Sequence, residues 1–214
     1  ITGYTRRREW VERTYYFVIE FDQPILSREE LPLRDPREKA SRHVLHFDLE
    51  EGDVLQMKVA MSTTGVEGAK ANLASEVPGW NFDAVHHTAR ATWNEYLSRV
   101  QIEGTDDDKA NFYTSLYHLY IQPNDIADID GKYVGPSRQI EQSSTGMYYS
   151  TLSQWDTFRA AFPMYTLLSP EIVSDLVNSM VDYSEQKGHL PIWALMGQET
   201  YTMIGNHSIP MIVD

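Results

Sequence analysis

The hydrophobic pattern changes character about a third of the way along the chain. From Thr14 to Phe21 the residues are dominated by aromatic and β-branched side chains, which predicts a strand. Val54 to Ser62 alternates apolar and polar positions well enough for a half-buried strand. His43 to Asp48 is a third strand candidate, with Glu51-Gly52-Asp53 as a turn. Residues 22–42 are charged and contain Pro24, Pro32 and Pro36, which predicts a long loop or edge excursion. Three strands cannot close a sandwich, so this segment reads as the end of a β-domain.

Beyond residue 65 the period becomes helical. Residues 66–76 predict a short helix, and Pro78-Gly79 breaks it. A helix from an Asp83 N-cap to about Val100 carries Val85, Ala89, Trp93, Tyr96, Leu97 and Val100 as one stripe, the mark of a linker helix lying against a domain. Thr105 predicts the N-cap of the next helix. Asp106, Asp107 and Asp108 sit at its positive end and Pro123 stops the chain after it. Residues 122–150 read as a long loop, and 153–168 as one helix kinked at Pro163. Ser169-Pro170-Glu171 is a strong helix start and Gly188 its stop; a further helix starts near Asn206 or Ser208. The fold class is therefore α+β: the end of a β-part over residues 1–82, a linker helix over 83–103, and a helical array over 104–214.

Composition adds exclusions. The chain has 214 residues and a net charge of −13, which argues against a nucleic-acid or anionic-membrane surface. The charge is uneven: residues 1–104 hold 13 basic and 17 acidic residues, residues 105–214 hold 5 and 14. An acidic half suits a cation, a neutral polyol ligand or plain solubility. Without cysteine there is no disulfide framework, thiolate metal site or thiol nucleophile. No apolar run approaches the roughly 18 residues of a membrane span. The chain opens on Ile1 rather than Met and reads as a cut end.

The candidate chemistry is narrow. His86-His87 point to different helix faces and read as surface histidines. Asp125, Asp128 and Asp130 before Gly131 faintly suggest a calcium loop, but no register supplies oxygen ligands at positions 1, 3 and 5, so an acidic turn is the better reading. Two segments combine tryptophan with polar groups. One is Tyr148 to Arg159, with Trp155, Asp156 and Arg159. The other is Gly188 to Thr200, with Trp193, Glu199 and Thr200, followed by Gly205 to Ser208 with His207. An aromatic face stacks on the C–H side of a sugar ring while charged groups take its hydroxyls. The plainer reading makes both tryptophans core residues, Asp156–Arg159 an ordinary helical pair and Glu199 a first-turn acid.

Long ordered motifs then resemble glycoside hydrolase family 92: Phe112 to His118, Asp128 to Tyr133, Tyr149 to Arg159, Gly197 to Thr200 and Ile204 to Pro210, with Val59 to Ser62, Ala69 to Leu73 and Pro78 to Asp83 upstream. The resemblance implies calcium-dependent, inverting exo-α-mannosidases built from an N-terminal β-sandwich, linking helices and a C-terminal (α/α)6 barrel. This chain then holds the end of the sandwich and the first helices of the barrel. By the same resemblance the substrates are mannose-terminated glycans, with α-1,2 linkage the commonest theme, and the setting is export to periplasm, cell surface or medium. Trp155 and Asp156 are the implied mannose contacts, Arg159 orients Asp156 or binds a hydroxyl, and Glu199, Thr200 and His207 line the same mouth. The general acid, the base and the main calcium ligands belong to later helices, so no residue here, Glu199 included, is assigned a catalytic role. The remainder of the polypeptide is then a required partner, and the alternative is a non-catalytic carbohydrate-binding or structural fragment.

Overall fold

The computed structural model describes every residue except Pro36 and Glu38, so Pro36, read above as part of a loop, lies outside the described residues. The fold is mixed α+β. In the first part, β1 (Thr2–Arg8), β2 (Glu12–Phe21), β3 (Ser27–Leu31), β4 (Arg42–His46) and β5 (Met57–Ser62) precede α1 (Val66–Glu76). The sheet order is β1-β2-β5, all antiparallel, with Val18 opposite Ala60 and Tyr16 opposite Ser62. Val18 packs on Ala69 and Leu73 of α1, which covers one face of the sheet. The other face leaves Met57, Val59 and Met61 exposed. Two strands were not foreseen. β1 pairs with β2 through the turn at Trp10, and β3 pairs with β4 inside the segment expected to be a loop. Charged strands such as Ser27–Leu31 lack the apolar alternation that marks a strand in sequence, because the side chains at 27–30 are exposed.

Next come α2 (Phe82–Leu97) and α3 (Asp106–Leu119). The cap of α2 is Asn81, whose Oδ1 accepts from Ala84 N (2.9 Å); Asp83 sits inside the first turn. Val85 is exposed and no residue of α2 is fully buried, so the expected stripe is only half used. Its C-terminal end makes the contacts: Trp93 meets Tyr117 at 4.6 Å and Tyr96 meets Tyr120 at 5.2 Å between ring centroids. Arg99 closes the joint by donating to Leu168 O (2.7 Å), Ser169 Oγ (2.8 Å) and Glu171 Oε1 (2.6 Å). Thr105 caps α3 in a reciprocal capping box with Asp108.

Residues 122–150 contain two small antiparallel pairs. β6 (Asn124–Asp125) pairs with β9 (Tyr149–Ser150), and β7 (Lys132–Val134) pairs with β8 (Ile140–Gln142). After β10 (Leu152–Ser153), the expected single helix is two: α4 (Gln154–Thr157) and α5 (Ala161–Leu168). The break falls at 158–160. Pro163 is the third residue of α5, where an N–H has no helical partner to lose, so it starts a helix and kinks nothing. α6 (Pro170–Lys187) ends on Gly188 at φ 84°, and β11 (Trp193–Leu195), β12 (Gln198–Glu199) and α7 (Ser208–Val213) follow. Ser169 precedes α6 as expected but spends its hydroxyl on Arg99 and Tyr120. The helical core joins Leu152, Phe162, Tyr165, Leu176, Met180, Tyr183, Ala194 and Met211. Tyr165 Oη donates to the free carbonyls of Leu119 (2.6 Å) and Gln122 (3.0 Å), tying α5 to the end of α3.

Candidate functional site

The two tryptophan segments meet in one sheet, β10-β11-β12. Ser153 stands opposite Trp193, Leu152 opposite Ala194, and Ala194 opposite Glu199. Side chains alternate across a strand, so the sheet has two faces of different use. Leu152, Ala194 and Glu199 turn into the helical core. Ser153 and Trp193 share the opposite face.

The turn between β11 and β12 is Met196-Gly197, at φ 50° and 80°, the two positive values of a type I′ hairpin. Gly197 N donates to Ser150 Oγ (2.7 Å), and a Cβ on Gly197 would run into Val134 O. Thr151, between β9 and β10, is held at φ 64°, an outlier for a β-branched residue that costs on the order of 1–3 kcal/mol. It turns the chain from one sheet to the next and delivers Ser153 to the head of α4.

The six residues singled out by the sequence divide sharply. Trp155 is 40% exposed at the start of α4, and Asp156 is exposed beside it. Ser153 Oγ donates to Asp156 Oδ2 (2.5 Å), which fixes the carboxylate and leaves most of its lone pairs free. Arg159 does not orient Asp156: its guanidinium lies over the Phe158 ring at 5.2 Å. The reason is the break after Thr157, which takes Arg159 off the helical i,i+3 path. His207 also packs on Phe158, with ring centroids 4.4 Å apart, and its Nδ1 is buried with no partner among the described residues.

Glu199 and Thr200 are elsewhere. Glu199 is only 6% exposed and is no first-turn acid; it sits in a strand. Its carboxylate accepts from Ile192 N (2.8 Å), Trp193 N (3.0 Å), Thr200 N (3.1 Å) and Tyr201 N (3.4 Å). Burial, with the Glu199 charge nearby, pushes the Tyr183 phenol up. Thr200 Oγ1 donates to Trp193 O (3.1 Å). Both residues therefore hold the backbone that carries Trp193. Trp193 itself is half-buried, as is His207.

The acidic turn is also structural. Asp125 accepts from Ala127 N (3.0 Å) and Tyr148 N (2.9 Å); Asp130 accepts from Lys132 N (3.1 Å) and Nζ (2.6 Å). Hydrogen bonds from Lys132 hold the Asp130 carboxyl below the usual range. Asp128 is buried and accepts from Ser62 Oγ (2.7 Å), Asn72 Nδ2 (2.8 Å) and Thr64 Oγ1, which locks the β-part to the 124–134 loop. Among the described residues no cluster of three acidic or histidine side chains is arranged to hold a metal.

One aromatic residue missed by sequence reasoning adjoins this face. Trp10, at the β1–β2 turn, meets Trp193 edge-on, with centroids 6.3 Å apart and planes at 79°. Its signal in sequence is slight: a lone tryptophan in the arginine-rich run Arg6-Arg7-Arg8-Glu9-Trp10.

Comparison with known proteins identifies the architecture. The structure matches an α-mannosidase of family GH92 from Bacteroides thetaiotaomicron at 29% identity and a TM-score of 0.86, covering 98% of this chain and 30% of that one. The same enzyme has been solved with mannoimidazole and matches equally. An inverting GH92 mannosidase from strain VPI-5482 of the same species matches at 28% identity and a TM-score of 0.86, covering 99% and 30%. This chain thus spans about 30% of the length of these structures. The search of curated proteins gave no match. The model of the glycosyl hydrolase family 92 catalytic domain matches residues 68–214. On that match, which takes in most of the chain, the protein belongs to glycosyl hydrolase family 92.

Proposed function

We propose that the full-length protein is a glycoside hydrolase that removes terminal α-linked mannose from glycans, with inversion and a preference for the α-1,2 linkage. The observation that carries this reading is the exposed Trp155–Asp156 pair at the head of α4. Its carboxylate is held by one hydroxyl and open on its other lone pairs. Trp155 offers an aromatic face to the C–H side of the ring, and Asp156 accepts from adjacent hydroxyls. Family membership and the mannoimidazole complex of a relative support a mannoside as the ligand.

The residues of this chain do not fit calcium. Asp125, Asp128 and Asp130 are each occupied by donors of their own chain. We therefore propose that calcium ligands, like the acid and base of an inverting pair, lie in the rest of the protein; an inverting pair stands about 6.5–9.5 Å apart to admit water. Within that scheme this chain binds and orients the terminal sugar. We also propose export from the cytoplasm, which would bring the enzyme to glycans outside the cell; periplasmic or secreted activity in fractionated cultures tests it.

The deciding experiment is mannose release from α-1,2-mannobiose by the full-length protein, with calcium and with excess chelator. Calcium-dependent release is expected. Asp156→Ala should lower kcat/KM by about 100- to 20,000-fold, the loss of two hydrogen bonds to a charged acceptor at about 1.5–3 kcal/mol each. Asp156→Asn, which keeps one acceptor oxygen, should lose less. A wild-type kcat/KM in Asp156→Ala would remove Asp156 from the sugar site, and no release by the wild type would overturn the reading as a whole.

A further inference from the structure

We infer that Trp10 is a specificity residue that stacks on the second sugar of the substrate, the ring on the leaving-group side. This rests on the mannosidase reading above and adds a contact that the family match does not supply, because Trp10 lies outside the matched residues 68–214.

The turn that carries Trp10 is pinned on one side of it while the indole is left out. Val11 is buried, 7% exposed. Gln198 Nε2 of β12 donates to Glu12 O (2.6 Å) across 186 residues of sequence. The Glu12 carboxylate is held by Arg6, by Arg8 (3.4 Å) and by Arg138 of the β7–β8 turn (3.2 Å). The hairpin tip is thus registered on the very sheet that presents Trp193 and Ser153. Trp10 nevertheless remains 68% exposed. The two rings meet at 79° and do not stack face to face, so most of the indole stays open. Trp193 stands opposite Ser153, the donor to Asp156, so Trp10 borders the sheet face that leads to that carboxylate. A fixed aromatic face that loses no freedom on binding is what a sugar platform requires.

The position selects the ring. The reacting mannose must be enclosed by polar groups that leave room for little more than the attacking water. Trp10 stands at the tip of a hairpin from the other part of the molecule, at the solvent edge. A ring that continues toward solvent, as the leaving-group sugar does, is the one it can meet. The edge-on Trp193 holds the plane of Trp10 and in turn is held by Glu199 through its backbone.

The test uses the full-length protein with two substrates, α-1,2-mannobiose and α-mannosyl fluoride, whose leaving group carries no ring. Trp10→Ala should lower kcat/KM on the disaccharide by about 30-fold, chiefly through KM, the size of a tryptophan hot spot. The fluoride should stay within twofold of wild type. Trp10→Tyr, which keeps a ring face, should recover most of the disaccharide rate, and unchanged thermal melting of both variants shows that the hairpin still folds. Equal losses on the two substrates, or no loss on either, would overturn the proposal while leaving the mannosidase reading intact. A wild-type protein inert on both would overturn the mannosidase reading, and this proposal with it.

Discussion

Asp128→Ala should unlock the β-part from the helical part. The carboxylate is 4% exposed and accepts three side-chain donors, from Ser62, Thr64 and Asn72. Removing it strands these donors unequally. The two hydroxyls already lie 3.1 Å apart and can turn to each other, and Asn72 Nδ2 keeps Met61 O at 2.9 Å. Loss of hydrogen bonds to a buried charged group, partly offset in this way, comes to about 3–5 kcal/mol. Asp128→Asn should cost less, about 1–2 kcal/mol, because its oxygen can still face Asn72 while its amide donates to rotated hydroxyls. The local readout is native-state hydrogen exchange in the full-length protein at Ile129, whose N–H donates to Asn72 Oδ1 (2.9 Å), and at Gly131, whose N–H donates to Asp128 O (2.7 Å). At 1.4 kcal/mol per tenfold, exchange there should quicken by about 100- to 3000-fold in Asp128→Ala. Gly68 provides a second perturbation of the same lock, since a Cβ there would come within 2.6 Å of Ser62 Oγ and 2.8 Å of Thr64 Oγ1, as well as striking Asp128. Gly68→Ala combined with Asp128→Ala should cost less than the two separately, by about 1–2 kcal/mol. Exchange within threefold of wild type in Asp128→Ala, or strict additivity of the pair, would refute this account.

Glu199→Gln sets a donor against backbone N–H groups that need an acceptor, so Tm should fall, at a cost of about 2–4 kcal/mol. The pH profile of kcat should keep its shape, whereas loss of its alkaline limb would make Glu199 a proton donor. Alkaline pH should unfold the helical part. Burial pushes the phenols of Tyr133, Tyr149 and Tyr165 up to about 12, so the folded protein retains protons that the unfolded chain releases near pH 10. Their contribution is whole below about pH 10 and falls between about 10 and 12, by up to about 1.4 kcal/mol per pH unit for each phenol. Phenolate absorbance should then rise in one step with loss of near-ultraviolet circular dichroism; smooth titration of all 13 tyrosines near pH 10 with the fold intact would contradict it.

The readable parts of the fold are those written by neighbours in sequence. Thr105 and Asp108 cap each other three residues apart, Ser169-Pro170 opens α6, and Gly188 closes it in a left-handed turn. Residues 66–76 form α1 with the bounds their composition suggests. What stayed hidden depends on partners far along the chain. The break at 158–160 reflects packing of Phe158 on His207, nearly fifty residues later. The hairpin of β11 and β12 turns on Met196-Gly197, which lacks the Asn-Gly or Asp-Gly signature of a type I′ turn. Trp10 looked like part of a charged run because the groups that position it, Gln198 and Arg138, lie more than 120 residues away.

The acidic residues differ in how much of each carboxylate their own chain occupies. A carboxylate has about four lone-pair sites, so its capacity for a ligand is what its own chain leaves unused. Glu199 spends them on four backbone N–H groups, and Asp128 on three side-chain donors. Both are buried, and both are fastened before any substrate arrives. Asp156 has one partner, Ser153 Oγ, and faces solvent beside an open tryptophan. By sequence alone the three looked alike, each an acid within a polar and aromatic motif. Counted by donors, only Asp156 retains room for the hydroxyls of a sugar. The two saturated acids instead hold the elements around it: Glu199 fixes the backbone of Trp193, and Asp128 fastens the loop to the part of the molecule that carries Trp10. A mutation at either should therefore act on the site through geometry, raising KM and lowering stability together, while a mutation at Asp156 should lower kcat/KM with Tm nearly unchanged.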